Sequence, residues 1–150
     1  MQKILFVCHG NICRSPMAEF VMKDLLKKEG LSEYVYVASA ATSFEEIGNP
    51  VHRGTKQKLA ELGISVAGKT AVHMEKTDYG KYDFIIGMDS INIRNIMRII
   101  GDDPENKVSK LLSFADEDGD IADPWYTGDF DATYRDVLRG CKGLLNRIKE

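Results

Sequence analysis

Short apolar runs alternate with amphipathic segments along the whole chain. Each apolar run is continuous and rich in residues that favour β-structure, which is typical of strands buried on both faces. The pattern predicts four strands, at residues 3–8, 34–38, 82–88 and 108–114. Apolar residues at helical spacing predict four longer helices: from Pro16 to a stop at Gly30, over 51–62, from Asp89 or Ser90 to Ile100, and from Phe130 to the end. A short helix is predicted over Glu75–Tyr79.

Strands that alternate with helices predict an α/β fold in a single domain, residues 1–150. The expected architecture is a doubly wound, flavodoxin-like sheet of four parallel strands with helices on both faces. Such sheets bind their ligands outside the carboxyl ends of the strands. The loop after the first strand has that position, and the loops that begin at Ser39, Asp89 and Ala115 are expected to surround it.

The loop after the first strand carries Cys8 and Arg14, and Ser15-Pro16 then begins a helix. A loop that closes on a helix N-terminus points backbone N–H groups and the positive end of the helix dipole at one spot. Such a nest binds phosphate-like anions and favours the thiolate form of a cysteine. We therefore predict an anion site with Cys8 as the nucleophile at its base. The predicted phosphate-binding residues are His9, Gly10, Asn11, Ile12, Cys13, Arg14 and Ser15.

Four residues of this loop have special properties or open alternatives. Gly10 and Asn11 both tolerate the left-handed backbone that turns the loop amides inward. The single hydroxyl of Ser15 can either cap the helix or donate to the Cys8 thiolate. Cys13 is either a plain loop residue or the partner of Cys8 in a reversible disulfide under oxidising conditions.

Hydrolysis of a phosphate ester also needs an acid that protonates the leaving oxygen. Asp123 is the best candidate, because Pro124 holds the residue before it in an extended conformation at the rim. Trp125 and Tyr126 follow directly and offer flat apolar walls for a ring. Asp89 is interpreted as the N-cap of its helix rather than as an acid.

Composition restricts the remaining function classes. The net charge of −3 and the lack of a basic run argue against a nucleic-acid partner. No apolar run has the length of a membrane span, so no membrane partner is expected. The three cysteines lack a disulfide-framework spacing and the N-terminus lacks an export pattern, which together predict a cytoplasmic location. The histidines and cysteines show no metal-site spacing.

The motif Cys8-X5-Arg14-Ser15, followed far downstream by Asp123-Pro124, resembles the low-molecular-weight protein tyrosine phosphatases. The similarity runs over essentially the whole chain. Further segments in family-like positions are Ser39-Ala40-Ala41-Thr42-Ser43, Gly48-Asn49-Pro50, Tyr82-Asp83 and Met88-Asp89. The resemblance implies hydrolysis of phosphotyrosine, in proteins or in small aryl phosphates, with inorganic phosphate as the product. It implies no metal and no cofactor, and it leaves the oligomeric state open.

The resemblance also implies a role for each main site residue. Cys8 attacks phosphorus and forms a cysteinyl-phosphate, Arg14 binds the phosphate, and Asp123 acts first as an acid and then as a base. Asn11, Ser15 and Ser39 support the loop and the thiolate. Relatives often carry an aromatic residue on the rim near position 44, which makes Phe44 a further wall candidate beside the acidic Glu45. Leu62 stands where some relatives have a histidine that supports the loop.

Three other functions share parts of this motif. Relatives that act on phosphoarginine carry threonine at the position of Ile12, so Ile12 favours an aryl phosphate. The related arsenate reductases need additional relay cysteines, which Cys141 on the last helix does not provide. A catalytically silent phosphate-binding module would not need both Cys8 and Asp123. A phosphoarginine phosphatase is therefore the main alternative.

Overall fold

Four parallel strands form one sheet in the order β2-β1-β3-β4 in a computed structural model that describes residues 1–150. The strands are β1 (Gln2–Cys8), β2 (Val35–Ala41), β3 (Phe84–Gly87) and β4 (Val108–Lys110). β1 lies in the middle and pairs in parallel with both β2 and β3. The predicted four-stranded parallel sheet and its flavodoxin-like order are confirmed.

Helices cover both faces of the sheet, as the doubly wound prediction requires. Ile4 and Phe6 of β1 belong to a large core cluster on one face, whereas Leu5 and Val7 belong to a smaller cluster on the other. This division follows from the alternation of side chains along a strand. The helices are α1 (Arg14–Lys28), α2 (Arg53–Ala60), α3 (Asp78–Lys81), α4 (Ser90–Ile100), α5 (Pro124–Thr127) and α6 (Phe130–Lys149). None of them is long and apolar enough to cross a membrane.

The fourth strand is shorter than predicted. The prediction of a strand over 108–114 is wrong beyond Lys110, because Leu111–Ala115 forms a 3₁₀-helix. Leu111 and Leu112 are consecutive and are both buried in the same core cluster. A strand would send consecutive side chains to opposite faces, whereas one helical turn can bury both against α6.

Smaller differences concern the edges of other elements. The short helix lies over Asp78–Lys81 instead of 75–79, and Asp78 Oδ2 accepts a hydrogen bond from the Glu75 amide in the turn before it. The predicted helix over 51–62 is helical only over Arg53–Ala60. β2 continues to Ala41, into the segment that was expected to be a loop from Ser39.

Gly143 lets α6 approach the 3₁₀-helix closely, and a larger residue at this position is expected to destabilise the protein. A Cβ at this position would overlap the carbonyl oxygen of Phe114, which is backbone and has little freedom to move. We expect Gly143→Ala to lower the free energy of unfolding by about 1–3 kcal/mol, as overpacking does. Denaturant unfolding measures this change.

Gly80→Ala is the matched control, because no heavy atom lies within 4 Å of the position of its Cβ. We expect this variant to unfold within about 0.5 kcal/mol of the parent, as surface substitutions do. Equal stability of the two variants would contradict the close contact between α6 and the 3₁₀-helix.

Candidate active site

The loop between β1 and α1 wraps around the sulfur of Cys8. Asn11 has a φ of 58°, so it adopts the left-handed conformation that the sequence predicted for this turn. Gly10 does not have a positive φ, and the prediction holds only for Asn11. The turn brings the Asn11 amide to 3.3 Å from Cys8 Sγ, to which it donates. The sulfur therefore accepts a hydrogen bond from a loop amide, as expected at the base of an anion nest.

Ser15 does not cap α1. The helix begins at Arg14, and Cys13 holds the N-cap position without a side-chain cap. Ser15 Oγ is fully buried and lies 3.0 Å from Cys8 Sγ, and it accepts a hydrogen bond from Asn11 Nδ2 at 2.7 Å. Of the two roles left open for this hydroxyl, the structure supports contact with the thiol.

Asn11 joins the loop to two neighbouring segments through its side chain. Its Nδ2 also donates to Ser39 Oγ, 2.9 Å away, two residues before the end of β2. Its Oδ1 accepts from the Val72 amide at 3.1 Å. Every hydrogen-bonding atom of the buried amide side chain is thus used, and Asn11, Ser15 and Ser39 form one connected group as expected.

The loop is held on its other side by α2, which sequence reasoning did not identify. The His52 amide donates to Ile12 O at 2.8 Å, and Thr55 Oγ1 donates to Cys13 O at 3.1 Å. Thr55 is fully buried in α2, and no local sequence signal marks its contact with Cys13, which crosses 42 positions of the chain. Leu62, by contrast, is exposed after the end of α2.

Arg14 projects into the site from the first turn of α1, and only one edge of its guanidinium is bound. Nη1 donates to Asp89 Oδ2 at 2.6 Å and to Ile121 O at 2.9 Å. Nη2 lies 3.5 Å from Asp123 Oδ2, and the buried Nε has no hydrogen-bond partner. A buried donor without a partner is costly, so this edge is suited to an oxyanion that accepts from it.

The surroundings of Arg14 stabilise its charged form. Burial alone would lower its pKa, but Cys8, Asp89 and Asp123 act in the opposite direction and the pKa is raised above its usual range. Asp89 has two roles here. Its Oδ1 caps α4 by accepting from the Asn92 amide at 2.7 Å, as predicted, while its Oδ2 orients Arg14, which was not predicted.

Asp123 stands at the start of α5, opposite the loop. Its Oδ1 accepts from the Trp125 amide at 3.0 Å, which caps the helix, and Pro124 occupies the first turn. The other carboxylate oxygen, Oδ2, faces Arg14. The distant segment therefore reaches the loop, as the sequence predicted but could not demonstrate.

A cavity of about 390 Å³ lies between these groups. Its walls come from the loop, from Asp123, and from a rim with two carboxylates. The lining residues are Cys8, His9, Gly10, Ile12, Cys13, Arg14, Glu45, Glu46, Asp123, Trp125 and Tyr126. His9 contributes its ring as well, since Nε2 lies 2.9 Å from Glu45 Oε2.

The aromatic walls differ in position. Trp125 and Tyr126 line the cavity and are largely exposed at its mouth. Phe44 does not line it, in contrast to its expected role as a wall. Its ring instead stacks on His73, with a centroid distance of 3.8 Å, so it supports the rim loop from behind.

Comparisons with known proteins agree with this geometry. The model of the low molecular weight phosphotyrosine protein phosphatases matches residues 3–150. The chain belongs to this family. YfkJ of Bacillus subtilis, named a low molecular weight protein-tyrosine-phosphatase, is 38% identical over 152 residues, which cover 100% of this chain and 97% of YfkJ.

Solved structures show the same family fold. The crystal structure of YfkJ superposes with a TM-score of 0.96 at 40% identity, covering 99% of this chain and 95% of that one. An arginine phosphatase from Drosophila superposes with a TM-score of 0.91 at 29% identity, covering 99% of both chains. The same fold is therefore shared by a protein named an arginine phosphatase and by proteins named protein-tyrosine-phosphatases.

Cys13 is a buried thiol within this family loop. All three cysteines are free thiols. Burial is the largest cause that raises the pKa of Cys13 to about 12, and the neighbouring Cys8 adds to it. A thiol with that pKa is almost entirely protonated near neutral pH and is a poor nucleophile.

The raised pKa of Cys13 predicts selective alkylation. At about pH 7.5, we expect iodoacetamide to modify Cys8 and to leave Cys13 and the fully buried Cys141 unmodified, because only thiolates react. Peptide mass spectrometry after a time course measures the order of labelling. Modification of Cys13 at a rate similar to that of Cys8 would contradict the environment described for Cys13.

Proposed function

We propose that this phosphatase hydrolyses phosphotyrosine and other aryl phosphate monoesters through a cysteinyl-phosphate, with Cys8 as the nucleophile. One observation carries the proposal: the Cys8 sulfur, the unpartnered Nε of Arg14 and the Asp123 carboxylate surround a single cavity. These are the three groups that a metal-independent phosphate transfer to sulfur needs, namely a nucleophile, an oxyanion clamp and an acid. The names of the relatives support the same chemistry.

Phosphate binding uses the loop and Arg14 together. The amides of residues 9–14 and the free edge of Arg14 donate to the three non-bridging oxygens. Arg14 meets them as a planar fork, because Asp89 holds its opposite edge. The phosphate then competes with Asp123 for Nη2, which frees the Asp123 carboxyl to carry a proton to the leaving group.

In the first chemical step the sulfur–phosphorus bond forms as the phosphorus–oxygen bond to the leaving group breaks. Two donors, the Asn11 amide and the Ser15 hydroxyl, are directed at Cys8 Sγ and stabilise its thiolate. Protonated Asp123 gives its proton to the departing phenolic oxygen. The equatorial oxygens stay hydrogen-bonded to Arg14 throughout the step. Their negative charge in the transition state is therefore stabilised electrostatically.

In the second step water replaces sulfur at phosphorus. Asp123, now ionised, takes a proton from the water, the sulfur–phosphorus bond breaks, and the thiolate and inorganic phosphate are released. The same carboxyl thus acts as acid and then as base, and the enzyme returns to its starting protonation.

The mouth of the cavity sets the substrate class. Trp125 and Tyr126 provide apolar surface for the aromatic ring of the leaving group. We propose phosphotyrosine proteins or small aryl phosphates as substrates, and residues 1–150 as one catalytic domain. A cytoplasmic location is also proposed, and it is supported by the free cysteines, since thiols persist in reducing compartments.

A phosphoarginine phosphatase is the second candidate. The superposition on the Drosophila arginine phosphatase favours it, and so do Glu45 and Glu46, whose carboxylates line the cavity where a guanidinium leaving group would lie. Ile12 favours phosphotyrosine. It also lines the cavity, and its side chain is apolar at the position where relatives that act on phosphoarginine carry threonine.

A substrate comparison decides between the two. We expect kcat/KM to be at least about tenfold higher for phosphotyrosine than for phosphoarginine or phosphoserine, with no loss of activity in EDTA. Cys8→Ser is the control, and it should abolish turnover while inorganic phosphate still binds. A preference for phosphoarginine would replace the first proposal with the second, and activity that EDTA removes would overturn both.

Asp123→Ala tests the acid role. Alkyl or unsubstituted phenyl leaving groups need a proton, whereas p-nitrophenolate leaves without one. We expect the rate constant of the first chemical step to fall about 10²–10⁴-fold on phenyl phosphate and far less on p-nitrophenyl phosphate. Burst kinetics measures this step separately from the second one. Equal losses on the two substrates would remove Asp123 from this role.

A further inference from the structure

Glu19 is a buried carboxylate outside the active site that the mechanism above does not use. It lies on α1, one turn beyond Ser15, and only 5% of it is exposed. It borders a separate cavity of about 730 Å³ between α1 and the free edge of β2, behind the phosphate loop. A buried carboxylate is costly unless it is paired and hydrogen-bonded, so its partners define its role.

Two lysines compensate the charge of Glu19. Lys23 Nζ donates to Oε2 at 2.6 Å, and Lys69 Nζ lies 3.6 Å from Oε1 while it donates to Ser39 O at 3.0 Å. Burial is the main cause that lowers the pKa of Lys69, and Glu19 opposes this effect. The remaining interaction of Glu19 is with the active site, since Ser39 Oγ donates to Oε1 at 2.5 Å.

The direction of every hydrogen bond from Glu19 to Cys8 follows from the chemistry of the groups. A carboxylate only accepts, so the Ser39 hydroxyl donates to Glu19 and accepts from Asn11 Nδ2. The Val72 amide fixes Asn11 Oδ1, so the other Nδ2 proton goes to Ser15 Oγ. The Ser15 hydroxyl proton is then left to point at Cys8 Sγ.

We propose that Glu19 is a positioning residue for the Cys8 thiolate and acts through the chain Ser39–Asn11–Ser15. Because Glu19 accepts the Ser39 proton, Ser39 can hold Asn11 in the orientation that makes Ser15 a donor to sulfur. Glu19 does not touch the substrate. This inference rests on the proposed role of Cys8 as the nucleophile.

Glu19→Gln is the discriminating variant. Loss of the hydrogen-bond chain from Glu19 to Cys8 and simple loss of the Glu19 charge predict opposite changes in the stability of the thiolate. The single oxygen of glutamine would be taken by Lys23, which leaves the amide NH2 facing Ser39 Oγ. Two donors would then compete for that oxygen and loosen Asn11. Loss of a nearby negative charge, by itself, would instead favour the thiolate.

The readout is the pH midpoint of the rate at which iodoacetamide alkylates Cys8, measured by peptide mass spectrometry. We expect Glu19→Gln to raise this midpoint by about half a pH unit, which is about a threefold change in the thiolate fraction. The kcat for phenyl phosphate below the midpoint should fall by a similar factor. A midpoint that falls or does not move overturns the proposal.

A double-mutant cycle with Ser39→Ala tests the path of the effect. Ser39→Ala alone should raise the midpoint, because Asn11 loses one of its acceptors. In that background, Glu19→Gln should add less than about a third of its own shift, since the connection is already cut. Full additivity of the two shifts would show that Glu19 does not act through Ser39.

The other groups around Cys8 are unchanged in these variants and therefore cancel in the comparison. The charged or titratable ones are His9, Cys13, Arg14, Glu45, Glu46, Lys69 and Asp123. Asp24→Asn is the matched control, because it removes a carboxylate of α1 that pairs only with the exposed Lys28. It should leave the midpoint where it is, and a shift equal to that of Glu19→Gln would overturn the proposal.

Two further measurements keep the outcomes separable. Thermal unfolding of each variant shows whether it is folded, and if Glu19→Gln is not, the shift expected of Ser39→Ala still tests the chain. Alkylation needs no turnover, so a wild-type protein without aryl phosphatase activity would refute the proposed function while the midpoints still decide the role of Glu19.

Discussion

The rest of the site depends on the hydrogen bonds that the side chain of Asn11 makes. The residue adopts a left-handed backbone that brings its amide to Cys8, and its carboxamide makes three hydrogen bonds to Ser15, Ser39 and Val72. A glycine would accept the same backbone conformation, but it would leave the two hydroxyls and the Val72 amide without their partner. Asparagine serves both requirements, because it tolerates positive φ and also carries two donors and an acceptor.

The sheet explains why those partners are within reach. In a parallel sheet all strands end at the same edge, so Cys8 at the end of β1 pairs with Ala41 of β2, and Ser39 lies two residues before it. The Ala41 amide in turn bonds to Val72 O, which fixes the segment that holds Asn11 from the other side. The position of the hydroxyl chain therefore follows from the register of β1 and β2.

The sequence predicted the fold and the chemically reactive residues more completely than their supports. Cys8, Arg14 and Asp123 carry local signals, namely a spacing, a helix start and a following proline. The contacts of Thr55 with Cys13, of Asp89 with Arg14 and of Glu19 with Ser39 have no such signal, because each is made across 20 to 75 positions of the chain. The strand prediction was wrong at Leu111 and Leu112 for a related reason. Their apolar run is typical of a strand, but packing against α6 favours a helical turn.

The arrangement of charges also explains why support for the thiolate comes through hydroxyls. Arg14 is already held between Asp89 and Asp123, and a further cation beside the sulfur would compete with Arg14 for these carboxylates and for the phosphate. A hydroxyl donor stabilises a thiolate without adding charge to the cavity. Glu19, Lys23 and Lys69 lie outside the phosphate site, where the lysines compensate the carboxylate, and the hydrogen bonds through Ser39, Asn11 and Ser15 connect Glu19 with Cys8. The loop can therefore keep one cation, Arg14, for the dianion that it binds.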